Sequence, residues 1–303
     1  ETGCSLRAVG VYFVRLRILL LVGLALAAIS TPAQTSSPPP APLPRLLPSA
    51  ERIADNSFLL EEAYNQEYGV VQHINAFLRN NVGRQWVYSF TQEWPINPAP
   101  RHQFSYTLTV LNSPDSPGSG NGFGDILINW RYQLVGDGDA RVAFAPRVSL
   151  LVPSGRSPFG RGIGSTGVQL NLPVSLLATE KLAIHLNAGA TLVPHAKNEF
   201  GHRAASHSVN LGQSFVWLVH PRANLLLETL YLNEAAVIAP GLIRREQTVI
   251  LNPAIRWAHN FTSGLQIVPG IGFPVEIPTT GRTQWGIFLY LSFEHPFKRG
   301  LTK

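Results

Sequence analysis

The sequence predicts an all-β chain, a transmembrane antiparallel β-barrel of the outer-membrane type with about twelve strands. Three observations carry that prediction. Successive runs alternate large apolar with polar residues, the links between them alternate between short and long, and the chain opens with a basic, then apolar, then small-residue order. The clearest run is 123–134, in which Ile126, Ile128, Trp130, Tyr132 and Leu134 share one parity and Asp125, Asn129, Arg131 and Gln133 the other, with Leu127 the exception. A period of two is a strand, and a large apolar side backed by an unbroken polar side suits a strand between lipid and a wet lumen.

Arg7, Arg15 and Arg17 precede the apolar run 18–29, which Thr31-Pro32-Ala33 follows, so residues 1–33 read as a secretory signal peptide. The run is shorter than the about 20 residues a spanning helix needs. Cys4, the only cysteine, lies in that leader, so the rest of the chain can form no disulfide. Residues 34–54 are rich in proline and read as an extended linker. Charged residues make up 14% of the chain, against about 25% in a typical soluble domain. The net charge of +6 leans on the leader arginines, and no Lys/Arg block remains elsewhere, so nucleic acid is not an expected partner.

Residues 55–69 are polar and carry Glu61, Glu62 and Glu67 directly before the first strand, so they are expected to form a lead-in on the short-turn side. The barrel is expected over 70–297, with 298–303 as a tail. After 70–78, the run 84–94 puts Trp86, Tyr88, Phe90 and Trp94 outward, and 101–110 puts Phe104, Tyr106, Leu108 and Val110 outward against Arg101, Gln103 and Ser105. The run 142–152 leaves Arg147 and Ser149 inside, 168–176 leaves Gln169, Asn171 and Ser175, and 182–192 leaves His185, Asn187 and Thr191. Residues 209–219 place Ser214 inside; 225–232 is apolar on both parities except for Glu228. The last runs, 249–257, 265–275 and 285–293, set Asn252, Arg256, Gln266, Glu276 and Ser292 against outward Trp257, Ile271 and Trp285. All six tryptophans fall on the outward parity, where an aromatic girdle would hold them. Pro146, Pro173, Pro253 and Pro269 lie within these runs, and because proline cannot donate to a ladder, bulges or breaks are expected there.

Links at 136–139, 178–180 and 221–223 are short, whereas 111–122, 153–165, 194–206 and 234–245 are long. Short turns on a periplasmic rim and long loops outside the cell would give this alternation. A soluble sandwich would alternate too, but it would not put large apolar side chains on the outer face of nearly every strand. A three-residue turn at 137–139 would set Tyr132 across from Phe144 and Asn129 across from Arg147.

Gly162-Ile163-Gly164-Ser165-Thr166-Gly167 matches G-x-G-x-x-G, but a period-two run follows it where a dinucleotide site needs a helix, so no cofactor is expected. His185, His195, His202 and His207 cluster in sequence without the convergent ligand set a metal requires. Glu199, Ser206 and His207 offer a hydrolase triad by proximity alone, which is not triad geometry, so no catalytic residue is assigned. The inward candidates are Arg101, Asp125, Asn129, Arg131, Arg147, Asn171, His185, Asn187, Glu228 and Arg256, a mixed interior that would either neutralise itself or form a polar constriction.

Asn56 to His73, with Phe90-Thr91-Gln92-Glu93-Trp94-Pro95, Gly124-Asp125, Phe144-Ala145-Pro146-Arg147 and Leu291 to Phe297, resembles a family of bacterial outer-membrane transporters grouped with the MetA pathway of phenol degradation. The resemblance spans 55–297 and implies a barrel and the passage of small solutes, with aromatic or otherwise apolar compounds as the class. It departs from the family at Tyr68, where a proline is usual. It brings no fixed site residues. Three functions stay open: a passive or facilitated solute channel, a filled structural barrel, and an outer-membrane hydrolase. The expected partners are outer-membrane lipid, a small-molecule solute and the outer-membrane insertion machinery. Because Arg147 has no carboxylate directly opposite in the expected register, and an unpaired buried charge is costly, 55–69 are expected to fold inside as a plug. Glu61, Glu62 and Glu67 would then meet lumen arginines such as Arg147 and Arg131.

Overall fold

The computed structural model describes residues 53, 56–81, 85–96, 99–112, 120–138 and 140–297. The expected leader, nearly all of the linker, Asp55 and the tail 298–303 lie outside the described residues. The chain is all-β, with one short 3-10 turn, Ser157–Phe159, among the described residues. Its strand pieces are β1 (Val70–Asn80), β2 (Trp86–Ile96), β3 (Ala99–Asn112), β4 (Asn121–Phe123), β5 (Ile126–Tyr132), β6 (Val142–Phe144), β7 (Arg147–Val152), β8 (Gly167–Asn171) and β9 (Val174–Thr179). They continue as β10 (Leu182–Lys197), β11 (Arg203–His220), β12 (Ala223–Ala239), β13 (Leu242–Trp257), β14 (His259–Asn260), β15 (Gln266–Gly272), β16 (Val275–Pro278) and β17 (Gln284–Pro296).

Neighbours in sequence pair antiparallel, and β17 returns to β1 from Val70 opposite Pro296 to Asn80 opposite Gly286, which closes the wall. Counting interrupted strands once gives a closed barrel of 12 strands. Closure leaves no free edge, and that is what a sheet needs where no water can satisfy its backbone. Trp130, Leu150, Leu170, Leu211, Trp257, Trp285 and Leu289 all lie exposed on the outer face, far more apolar surface than an ordinary soluble protein shows. Trp94 stacks on Phe104 and Trp130 on Tyr132 near the short-turn rim, and Phe77 packs on Trp86 near the other, so aromatic rings mark both ends of the apolar band.

The prolines act unequally. Pro146 and Pro173 separate β6 from β7 and β8 from β9, while Pro253 and Pro269 sit inside β13 and β15. At Pro253 the neighbour of β13 changes, from β16 over 248–251 to β15 over 254–256. Pro274, outside the expected set, separates β15 from β16. The carbonyls still serve the ladder: Pro146 accepts from Tyr132 N–H at 3.0 Å and Pro274 from Gly286 N–H at 2.8 Å.

Two expectations need correction. Residues 194–206 and 234–245 are not long loops: β10 and β11 leave only 198–202 between them, and β12 and β13 leave only 240–241. Above the apolar band both faces meet water, so Asn233, Glu234, Arg244, Arg245 and Glu246 break the alternation while the ladder runs on. These strands have 16 to 18 residues against 11 in β1 and β2, so one side of the wall stands taller. The register at 133–141 also differs. Leu134 and Val135 N–H both donate to Phe144 O, at 2.9 and 3.1 Å, and Ala140 N–H donates to Asp137 O, so the tip is wider than three residues and holds a bulge. Arg147 therefore faces Arg131, and Asn129 faces Ser149. A shift of two leaves every side chain on its expected face.

Candidate functional site: a peptide ring inside the barrel

Residues 56–69 run round the inside of the wall. Leu59 N–H donates to Glu228 Oε1 (3.0 Å), Glu61 N–H to Asn187 Oδ1 (3.1 Å), Ala63 N–H to Ser175 Oγ (2.7 Å) and Asn65 N–H to Gln133 Oε1 (2.8 Å). Gln66 N–H then donates to Gln103 Oε1 (2.7 Å), and its amide donates to Gln72 and Glu294. These acceptors sit on β12, β10, β9, the end of β5, β3, β1 and β17, the order in which those strands stand round the barrel. An extended peptide presents every second N–H to one side, and here the wall's side chains replace the strand that would otherwise accept them.

Two amides grip the backbone from both sides. Asn187 accepts from Glu61 N–H and donates to Glu61 O at 2.8 Å, and Gln133 accepts from Asn65 N–H while donating to Ala63 O at 2.8 Å. Asn171 donates to Asn187 Oδ1 (3.0 Å), and His185 Nδ1 lies 2.8 Å from Ser175 Oγ, so each orients a residue that holds the peptide.

Glu61 and Glu62 point to opposite walls. Glu61 Oε1 lies 2.6 Å from Arg147 Nη2 and its Oε2 3.5 Å from Arg131 Nη2, while Glu93 Oε1 lies 3.7 Å from the same Arg131 nitrogen. Arg131 and Arg147 face one another across the ladder, an unfavourable like-charge pair. Glu61 relieves it from the lumen side. Arg147 also donates to Asn129 Oδ1 and to Gln169 Oε1, both at 2.9 Å, and Arg131 to Tyr64 O at 2.8 Å. On the other side Glu62 Oε1 lies 3.4 Å from Arg256 Nη2 and 3.5 Å from His185 Nε2, and Arg256 donates to Asn56 O at 2.7 Å. Burial pushes the Glu62 carboxyl up to about 7 against the pull of Arg256.

The remaining candidates stand elsewhere. Arg101 is exposed at the short-turn rim, where its carbonyl accepts from Asn65 Nδ2 at 2.9 Å. Asp125 anchors the loop 153–166, accepting Gly155 N–H at 2.9 Å and Ile163 N–H at 2.7 Å. Glu67 is exposed in the turn before β1, where its carbonyl accepts Val70 N–H. Glu228, by contrast, belongs to the seat: it accepts Leu59 N–H and is itself buried and held by Asn252 Nδ2 at 2.7 Å.

The lumen also has an apolar side that strand parity alone did not single out. Phe58 stacks on Phe288 and Tyr290 and packs with Val216 and Leu226. Toward the short-turn rim the peptide leaves a cavity of about 380 Å³, lined by Glu62, Tyr64, Gln66, His185, Arg256 and Phe261 among others.

No protein-family profile and no curated protein matches the sequence. Among solved structures, an outer-membrane channel from Pseudomonas putida F1 matches at 14% identity and a TM-score of 0.58, covering 77% of this chain and 97% of the other. The NanC porin matches at 10% identity and a TM-score of 0.48, over 73% of this chain and 98% of its own, and adds nothing to that likeness. The shared feature is the outer-membrane barrel fold.

Proposed function

We propose that the protein is a channel of the bacterial outer membrane through which small solutes diffuse, with residues 55–69 as its removable constriction. The observation that carries the reading is what fills the lumen. In narrow filled barrels the wall's own side chains meet and close the interior. Here the filling is a peptide joined to the wall at one end, held largely by hydrogen bonds from its backbone to wall side chains, above a cavity of about 380 Å³. The channel-type fold supports the same reading. The resemblance to transporters grouped with the MetA pathway of phenol degradation supports aromatic or otherwise apolar compounds as the solute class. The short-turn rim would face the periplasm, and the outer-membrane insertion machinery would place the barrel. A filled structural barrel is the second reading, favoured by the apolar packing of Phe58.

Liposome swelling with sugars, amino acids and phenols, run beside planar-bilayer recordings, tests the reading on the full chain and on a chain lacking 55–69. The full chain is expected to conduct in brief openings and the shortened chain to conduct continuously and to swell with phenols. Silence from both proteins would leave a structural barrel.

A further inference from the structure

Phe58 does not simply rest on the lumen wall; the wall is shaped to take its ring. Phe288 and Tyr290, successive inward residues of β17, lie nearly parallel to it, with centroids 5.4 and 4.8 Å away and interplanar angles of 15° and 16°. Offset parallel stacking at such separations is a favoured aromatic geometry, and here one ring meets two faces at once. Gly270 stands opposite Tyr290 in the ladder. A methyl group on Gly270 would fall 2.3 Å from Phe58 Cζ, so the missing side chain is what opens the slot. Val216 and Leu226 close it, and Phe58 is left only 8% exposed. A slot of one ring's size, floored by two aromatic faces and walled by aliphatic groups, recognises a flat, uncharged six-membered ring. It need not recognise the peptide that carries one. Apolar cavities of about 150 Å³ in other proteins stay dry and take up benzene.

We propose that this slot is a binding site for uncharged monocyclic aromatic solutes, occupied by Phe58 while the segment is docked. This deepens the channel reading and rests on it for its role in transport. Docking of the segment and binding of the solute are then mutually exclusive, because both place a ring on Phe288 and Tyr290.

The probe is 4-fluorophenol, followed by fluorine NMR as it is titrated into the full-length barrel in detergent micelles. Heat-modifiable gel mobility checks that each variant is folded. The Phe58→Ala and Phe58→Val chains are expected to bind saturably, roughly tenfold more tightly than the unaltered chain, since no resident ring competes. In the Phe58→Ala background, Gly270→Ala fills the slot and Tyr290→Leu removes half of its aromatic floor, and each is expected to weaken binding several-fold. Cyclohexanol, a ring with no π face, should compete poorly. The site is overturned if both Phe58 variants take up the probe only in proportion to its concentration, as detergent does, or if neither wall change alters the binding. Equal competition by cyclohexanol overturns the aromatic class. Conductance is scored apart from these titrations. Saturable binding by a silent barrel would keep the slot and remove the channel, and conductance without saturable binding would do the reverse.

Discussion

Replacing Glu61 with glutamine should unlatch the inner peptide from one wall without changing its shape. The carboxylate stands 2.6 Å from Arg147 and 3.5 Å from Arg131, and these two guanidinium groups are direct partners across the ladder. Glu93, 3.7 Å from Arg131, is the other acid of the group, so the substitution turns a balanced set of charges into one with an excess positive charge. A unit charge pair at about 4 Å is worth about 4 kcal/mol at an effective dielectric constant of about 20. The Glu61 side chain is 22% exposed and that of Arg147 13%, so solvent screens part of this, and the amide can still accept from Arg147; a loss of about 2 kcal/mol follows. At about 1.4 kcal/mol per decade the undocked population rises about 30-fold. Single-channel recording in planar bilayers at about 0.1 M salt, where charges are screened only over about 10 Å, reads this as open-state occupancy. The double variant Glu61→Gln with Arg147→Gln removes the imbalance and should return occupancy most of the way to the starting value. If Glu61→Gln opens no more often than the unaltered chain, or if the double variant opens more than either single one, the latch is wrong.

Arg147→Ala should likewise raise open occupancy, and deletion of 55–69 should raise conductance further; unchanged recordings from both would make the segment a tether. The docked Glu62 carboxyl titrates near 7 against an ordinary 4.5, so the docked state takes up a proton. The contribution of Glu62 to docking is then largest at low pH, weakens as pH rises from 4.5 towards 7, and levels off above that. Open occupancy should therefore be lower at pH 5 than at pH 8, and Glu62→Gln, which leaves Arg256 and His185 in place, should flatten the difference. Single cysteines at the exposed positions Arg156 and Phe200 should react with an impermeant thiol reagent on intact cells, whereas one at Asp137 should not; the opposite pattern would invert the topology. Unboiled protein should migrate apart from boiled protein on a gel, because a closed ladder resists detergent until heated.

The strands were readable because lipid on one side and a polar interior on the other impose a strict period of two. Where one of those conditions lapses, the reading fails. Residues 234–239 and 242–245 continue as strand, but above the apolar band nothing penalises charge on either face, so Glu234, Arg244 and Glu246 masked the ladder. The two-sided apolar character of 225–232 has the opposite cause: Leu226 faces inward to meet Phe58. The same contact explains Phe288, Tyr290 and Val216, inward residues whose apolar nature makes sense only with a partner in the lumen. One signal lay in the amides. Gln103, Gln133 and Asn187 recur where an open aqueous wall could equally carry charge, and an amide both donates and accepts, as a backbone partner must. The neighbours of Arg147 were harder to read, because the register of 133–141 depends on a bulge that no residue type there demands.

The peptide ring is also tied to the closure of the barrel. Its holding groups come from β3, β9, β10 and β12, and its aromatic anchor rests on β17, the strand that meets β1 to complete the wall. The segment that precedes every strand in sequence is thus seated on groups spread over the whole wall, and its seat is complete only when the final strand has met the first. An incomplete barrel has no seat to seal. The obstruction of the lumen and the closure of the wall accordingly rest on the same strand, β17.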